Sequence, residues 1–302
     1  MKVLIAGGTG QIGRLLISRM LEEGHTVWVL SRNPQKANLP HGVRVVGWDG
    51  RSPVGWQNVL EQVDAVINLT GENLGAARWS AQRKALLRSS RLEPAKAITD
   101  AIAASTHRPT LLLQSSAVGF YGISPNQEVD ENSPAGSDYL SQLVVDWENA
   151  SQPIEELGVR RVIVRQGIVL DDREGALPRM LLPFRLFAGG PVGSGKQWIS
   201  WISRKDIAGA IFFLLNSSTA NGVYNLTSPQ PLTNADFGKT IAKVLRRPYW
   251  MPVPAFVLRI LFGEMAIVVL EGQRALPRRL IESGFRFQYA DLKSALVELF
   301  SH

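Results

Sequence analysis

Residues 2–13 read Lys-Val-Leu-Ile-Ala-Gly-Gly-Thr-Gly-Gln-Ile-Gly, an apolar run that breaks into glycines and passes straight into a helical pattern. The run 3–6 predicts a strand buried on both faces, and Ile12, Leu15, Leu16 and Met20 recur at the spacing of one helix face. Between such a strand and such a helix, glycine has a physical role. It permits the tight turn, lets the backbone approach a pyrophosphate, and lets the helix pack close on the sheet. The helix N-terminus meanwhile offers unpaired N–H groups and a positive dipole end to an anion. Gly7, Gly8, Thr9, Gly10, Gln11, Ile12 and Gly13 are therefore the predicted cradle of a dinucleotide.

Outward from this turn, short apolar runs at 26–30, 43–46, 65–69, 110–115, 161–165 and 222–226 read as further strands. Helical patterns alternate with them, among them 80–105, which Pro94 is expected to break, and 139–156. Alternation of this kind predicts an α/β fold, a doubly wound parallel (Rossmann) sheet. From 171 onward Gly and Pro punctuate the chain, a helix is expected at 235–245, and a buried helix pair or lid is expected at 252–270. The expected division is a dinucleotide-binding domain over 1–170, with a returning strand near 222–227, and a smaller substrate lobe over 171–302.

The end of the second strand selects the dinucleotide. An NAD site usually has a carboxylate there for the ribose 2′-OH, whereas this chain has Leu30-Ser31-Arg32-Asn33 and no acidic residue between Glu23 and Asp49. Arg32 would hold a 2′-phosphate by a charge-assisted contact and Ser31 would donate a hydrogen bond, so NADP is the predicted cofactor. Asp49 could accept from the adenine amino group, although Asp49-Gly50 is equally a plain turn pair.

Composition closes off other chemistries. Cys is absent, which removes disulfides, thiolate nucleophiles and Cys-ligated metals. His25, His41, His107 and His302 are scattered, and no metal site is expected. The formal net charge is +7, but the basic residues form no run, which argues against nucleic acid and for an anionic small molecule. No stretch reaches the ~18–20 apolar residues of a membrane span, and the N-terminus lacks a signal-peptide pattern, so a cytoplasmic location is expected. A homodimer is compatible with the sequence.

Further motifs are Asn68-Leu69-Thr70-Gly71-Glu72 after the fourth strand, Arg78-Trp79-Ser80 with Ser90-Arg91, and Ser115-Ser116-Ala117-Val118-Gly119-Phe120-Tyr121-Gly122. Trp147-Glu148, the run 165–170, the run 198–206, Tyr224-Asn225-Leu226, Gly272-Gln273-Arg274 and Pro277 complete the set. Together with the glycine turn, these resemble the extended short-chain dehydrogenase/reductases, the group that holds nucleotide-sugar epimerases and dehydratases. More closely, they resemble an epimerase-like family whose members are mostly of unassigned activity and carry a small C-terminal extension, here about 247–296. The resemblance spans nearly the whole chain. It implies that Leu69, Thr70, Gly71 and Ser115 border the nicotinamide side of the cofactor.

In the wider superfamily a Tyr, a Lys four residues later, and a Ser or Thr near the end of the fifth strand do the chemistry. The resemblance puts Tyr139 in the tyrosine position, but Leu143 stands where the lysine should be. Counted from Tyr121-Gly122, the serine position holds Ala117, and Ser116 fills it with one residue inserted at Gly119. Tyr139 and Ser116 are the candidate catalytic residues. A phenol with a pKa near 10 is only about 0.1% ionised at pH 7, a deficit of roughly 4 kcal/mol that the missing ammonium would have reduced. Tyr139 is thus handicapped as a base for oxidising an alcohol and already competent as an acid toward a carbonyl. Two functions follow: an NADP-dependent oxidoreductase or epimerase-like enzyme acting on a small carbonyl or sugar-derived substrate, or an NADP-binding sensor that recognises a partner.

Overall fold

The computed structural model describes residues 1–301, of which 125 and 126 by backbone alone; His302 lies outside the described residues. The order begins β1 (Lys2–Ala6), α1 (Gln11–Glu22), β2 (Thr26–Ser31), β3 (Arg44–Gly47), β4 (Ala65–Asn68), α2 (Ala81–Ala104) and β5 (Leu111–Ala117). Then come β6 (Ser124–Val129), α3 (Tyr139–Asn149), β7 (Arg160–Gln166), β8 (Ile168–Leu170), α4 (Leu177–Arg185), β9 (Trp198–Ile199), β10 (Trp201–Ser203), α5 (Arg204–Asn216) and β11 (Gly222–Leu226). Last are β12 (Leu232–Thr233), α6 (Asn234–Leu245), α7 (Ala255–Phe262), α8 (Ile267–Leu270), β13 (Gln273–Ala275), α9 (Arg278–Glu282) and α10 (Leu292–Phe300).

The expected doubly wound sheet forms. Its order is β11-β7-β5-β4-β1-β2-β3, every neighbouring pair is parallel, and each strand ends within two residues of its expected bounds. Alternation along β1 explains the burial. Val3 and Ile5 join Leu16, Ile17 and Met20 of α1 and Ile207, Ile211 and Leu214 of α5 on one face. Leu4 and Ala6 join Ile98, Ala101 and Ile102 of α2 on the other, with Trp56 completing that layer. Each large side chain so buried contributes ~1.5–3 kcal/mol. The order reverses between β1, which pairs with β2, and β4, and at such a switch point a cleft opens beyond the strand ends.

Several expectations need correction. Pro94 does not break α2, which runs on to Ala104; the proline is buried among Ala95, Ala97 and Ile98, so packing offsets its missing hydrogen bond. The helix expected at 139–156 ends at Asn149, and a separate 3₁₀ turn, Gln152–Leu157, takes over where Pro153 removes an N–H. The punctuated segment after residue 171 contains α4, whose Pro178 sits in the first turn, where an N–H has no partner anyway. The pair expected at 252–270 exists as α7 and α8, but it is not buried: Phe256, Ile260 and Leu261 are exposed and only Leu258 of α7 is enclosed. A further core, with Leu177, Leu181, Phe184, Trp201, Phe237, Ile241 and Leu296, lies beyond residue 170 and draws on α4, α6 and α10.

Candidate functional site at the carboxyl edge

The glycine turn lies at the switch point, and its four glycines have different reasons to lack a Cβ. At Gly7, with φ of +80°, a Cβ would come within 2.8 Å of the Leu69 carbonyl, and at Gly13 within 2.6 Å of the Gly8 Cα. A Cβ on Gly8 would meet both methyls of Val29 at 2.8 Å. These three are demanded by the protein itself. Gly10 is not: its φ is −79°, it is exposed, and a Cβ there would meet only the Gly7 carbonyl at 3.3 Å. What its missing side chain leaves open is the space in front of α1.

That space suits an anion. Gly10 caps α1 without a side-chain hydrogen bond, no acidic residue stands in the first turn, and the first N–H groups of any helix lack intrahelical partners. Gln11 Nε2 is buried with no partner among the described residues. Beside it, Arg14 donates to the Thr9 carbonyl at 2.6 Å and pairs with Glu174, which brings the loop after β8 against the turn; Gly175 of that loop packs on the Gln11 amide. Apart from the Gly at 175, no feature of the sequence points to this contact. An orphaned amide and an uncapped helix end therefore fit the pyrophosphate of a dinucleotide.

Arg32 leaves the end of β2 exposed and makes no ion pair or hydrogen bond among the described residues; Gly50 lets its aliphatic stem pass, at 3.8 Å from the would-be Cβ. Ser31 is buried, and its Oγ accepts from the Asn33 N–H at 3.2 Å. Asp49 closes a turn, with Oδ1 accepting from the N–H groups of Arg51 and Ser52 at 2.9 Å each. Those two bonds hold its carboxyl below the usual range.

At the ends of β4 and β5 a buried polar lattice orders the next loop. Asn68 Nδ2 donates to Gln114 Oε1 at 3.0 Å, while Asn68 Oδ1 accepts from both the N–H and the hydroxyl of Thr70, at 3.1 and 2.7 Å. Arg91 lies behind Gly71, donating to the Glu72 carbonyl at 3.0 Å, and burial lowers its pKa to about 10. Successive residues of β5 point to opposite faces, so Ser115 and Ser116 part company. Ser115 Oγ accepts from Gln166 Nε2 at 2.9 Å. Ser116 Oγ donates to Glu148 Oε1 at 2.5 Å, and Glu148 holds Arg165 by two bonds of 2.8 Å.

The Arg165 guanidinium continues the chain. It donates to the Tyr121 hydroxyl at 3.1 Å and stacks 3.3 Å over the Phe120 ring. Tyr121 donates to Asn225 Oδ1 at 2.7 Å, and Asn225 Nδ2 donates to the Leu276 carbonyl at 2.9 Å. Burial raises the Tyr121 pKa to about 12, so this hydroxyl stays a donor. One network thus ties β5, α3, β7, β11 and the C-terminal segment together.

Tyr139 opens α3 behind its cap, Asp138, whose Oδ1 accepts from the N–H groups of Leu140 and Ser141. Its ring meets Trp79 edge to face at 5.6 Å, its hydroxyl donates to the Lys84 carbonyl at 3.3 Å, and the Lys84 ammonium stands 4.9 Å over the ring. Burial raises the phenol pKa, and the nearby charges of Lys84, Arg91 and Arg88 pull the other way without prevailing. The structure does not bring Tyr139 and Ser116 together by any hydrogen bond; each is engaged elsewhere. Leu143, one turn on, is 3% exposed. Lys84 went unnoticed in the sequence because it reaches Tyr139 from another helix.

Residues 3–227 match the NAD dependent epimerase/dehydratase family, and residues 253–299 match a domain of unknown function, DUF1731. The chain belongs to the NAD-dependent epimerase/dehydratase family. The epimerase family protein YfhF of Bacillus subtilis (strain 168) is 39% identical over 302 residues, 99% of this chain and 98% of its own. The chloroplastic SDR39U1 homolog of Arabidopsis thaliana, also named an epimerase family protein, is 39% identical over 303 residues, 98% and 86% of the two chains. The crystal structure of human epimerase family protein SDR39U1 (isoform 2) with NADPH superposes with a TM-score of 0.86 at 35% identity, covering 99% of each chain.

Several epimerase-family motifs noted in the sequence now have a physical reading. Ser116, Tyr121, Glu148, Arg165 and Asn225 are the members of the buried network. Asp206 accepts from the N–H groups of Gln288 and Tyr289, so it orders a loop. Trp201 is core, donating from Nε1 to the Gln230 carbonyl, whereas Trp198 lies under the Arg274 guanidinium at 4.7 Å. Among the described residues no His, Asp and Glu cluster could hold a metal ion, and no helix is long and apolar enough to cross a membrane.

Proposed function

We propose that this chain binds NADP(H) along the carboxyl edge of its sheet and acts as an NADP-dependent, epimerase-like oxidoreductase that reduces a small carbonyl or sugar-derived compound. The observation that carries the cofactor choice is Arg32, a guanidinium with no partner among the described residues at the strand end where a carboxylate would repel a 2′-phosphate. The human relative's structure with NADPH supports the same choice. In this reading Gly7, Gly8, Thr9, Gly10, Gln11, Ile12 and Gly13 cradle the pyrophosphate, Ser31 and Arg32 hold the adenosine phosphate, and Asp49 borders the adenine. Leu69, Thr70, Gly71 and Ser115 flank the nicotinamide side. The second core beyond residue 170 forms the substrate lobe.

NADP should bind at least about tenfold tighter than NAD, a difference of 1.4 kcal/mol, and Arg32→Ala should abolish that preference. Calorimetric titration of both dinucleotides checks it. Equal affinities in the unaltered protein would contradict the assignment.

When bound, NADPH supplies the hydride for reduction. Tyr139 supplies the proton: its phenol is neutral at pH 7 and partial burial shifts it further that way, and reduction needs the neutral form. Leu143 offers no ammonium from the next turn, and the Lys84 charge over the ring does not outweigh burial, so the phenolate that oxidation needs is disfavoured. With a carbonyl panel, Tyr139→Phe should lower NADPH turnover about 100-fold with little change in NADPH affinity. Unchanged turnover would remove Tyr139 from the reaction.

One observation favours a second reading. The Ser116 hydroxyl is committed to Glu148 inside the core, so it does not assist Tyr139. A chain that binds NADP but turns over no carbonyl would be a nucleotide-dependent binding protein, and the same turnover panel separates the two.

A further inference from the structure

A second concavity opens at the other end of α1, between its last turn, the outer face of α5 and the segment 284–288. Arg19, on its wall, stands roughly 13 Å along the helix axis from Gly10. The cavity has a volume of about 690 Å³, within the ~300–1,000 Å³ of small-ligand sites.

Its lining combines three aromatic rings with polar and charged side chains. Phe212, Phe213 and Phe285 contribute rings, the last two meeting edge to face at 5.7 Å. Gly209 keeps the floor open, since a Cβ there would stand 3.3 Å from Arg19 Nη1 and 3.6 Å from the Phe285 ring.

The charges around it do not balance within the protein. Asp206 uses Oδ1 on the Gln288 N–H and Oδ2 on the Tyr289 N–H and the Ser203 hydroxyl. Lys205 is paired with Glu298 at 2.8 Å. Arg19 lies 4.7 Å over the Phe212 ring and has no carboxylate partner among the described residues; exposed Arg286 has none either. A half-buried guanidinium on an aromatic face is less well hydrated than one in water, and an anion there recovers the lost interaction.

We propose that this cavity binds a small organic anion with a flat aromatic body, the anionic group held by Arg19 and Arg286 and the body against Phe213 and Phe285. The flat rings select an aromatic body, and two guanidinium groups without a carboxylate partner, set against the single charge of Asp206, leave the cavity net positive and select a negative charge. This site is independent of the dinucleotide cleft and of the proposed reduction.

Fluorescence titration tests it with 8-anilinonaphthalene-1-sulfonate, an aromatic anion, and N-phenyl-1-naphthylamine, the same body without charge, both in excess NADP. The anion should bind at least tenfold tighter than the neutral probe. Arg286→Glu, at an exposed position without a protein partner, should weaken the anion at least tenfold and leave the neutral probe unchanged. Arg19→Met, which keeps the aliphatic stem, should weaken it similarly. Equal affinity for the two probes, or an anion affinity that Arg286→Glu leaves intact, would overturn the proposal.

Discussion

Replacing Glu148 with alanine is expected to cost about 3–5 kcal/mol of folding stability, the penalty of leaving a buried charge without its partner. The Arg165 side chain is 4% exposed, and Glu148 supplies both of the hydrogen bonds that neutralise it. Burial works against that charge; the carboxylate outweighs it and raises the guanidinium pKa. Removing Glu148 also strands the Ser116 hydroxyl. Substituting both ion partners, Glu148→Leu with Arg165→Met, should cost less than Glu148→Ala alone, because no unpaired charge then remains. Urea denaturation of the three proteins decides the matter. A Glu148→Ala loss below about 1 kcal/mol would mean that water reaches Arg165 and that the network does not lock the sheet to the C-terminal segment.

The strands were legible because parallel strands buried on both faces must be largely apolar, and 3–6, 27–30 and 65–67 are apolar throughout. The cradle was legible because a strand, four glycines and a helix are contiguous. Arg32 and Asp49 could be read only as residue types at strand ends; that one is unpaired and the other closes a turn depends on neighbours brought in by folding. Pro94 misled because its cost is local while the packing that offsets it is tertiary. The Glu148–Arg165 pair joins α3 to β7, and the Lys84–Tyr139 contact joins α2 to α3, so neither spacing carries a periodic signal. Apolarity alone also could not place 252–270 inside or outside: Leu258 faces in while Ile260 and Leu261, two and three residues on, face out.

Gly10→Val should lower NADP affinity at least 100-fold, about 2.7 kcal/mol, while the protein stays folded. The backbone at Gly10 has φ −79° and ψ 175°, a conformation valine adopts without strain, and its Cβ would displace nothing but the 3.3 Å contact with the Gly7 carbonyl. A side chain there therefore enters the space that a pyrophosphate would need, at the cost of easing one close contact with the Gly7 carbonyl. Gly13→Val is the contrasting case. Its Cβ would lie 2.6 Å from Gly8 Cα and 2.7 Å from the Gly7 carbonyl, both backbone, so the turn must open and stability falls with or without a nucleotide. Thermal melts and NADP titrations of both variants separate ligand exclusion from misfolding: Gly10→Val should lose the ligand with only a small drop in melting midpoint, and Gly13→Val should lose both. A folded Gly10→Val protein that retained NADP affinity would place the pyrophosphate somewhere other than the first turn of α1, and the roles given to Gln11, Ser31 and Arg32 would fall with it.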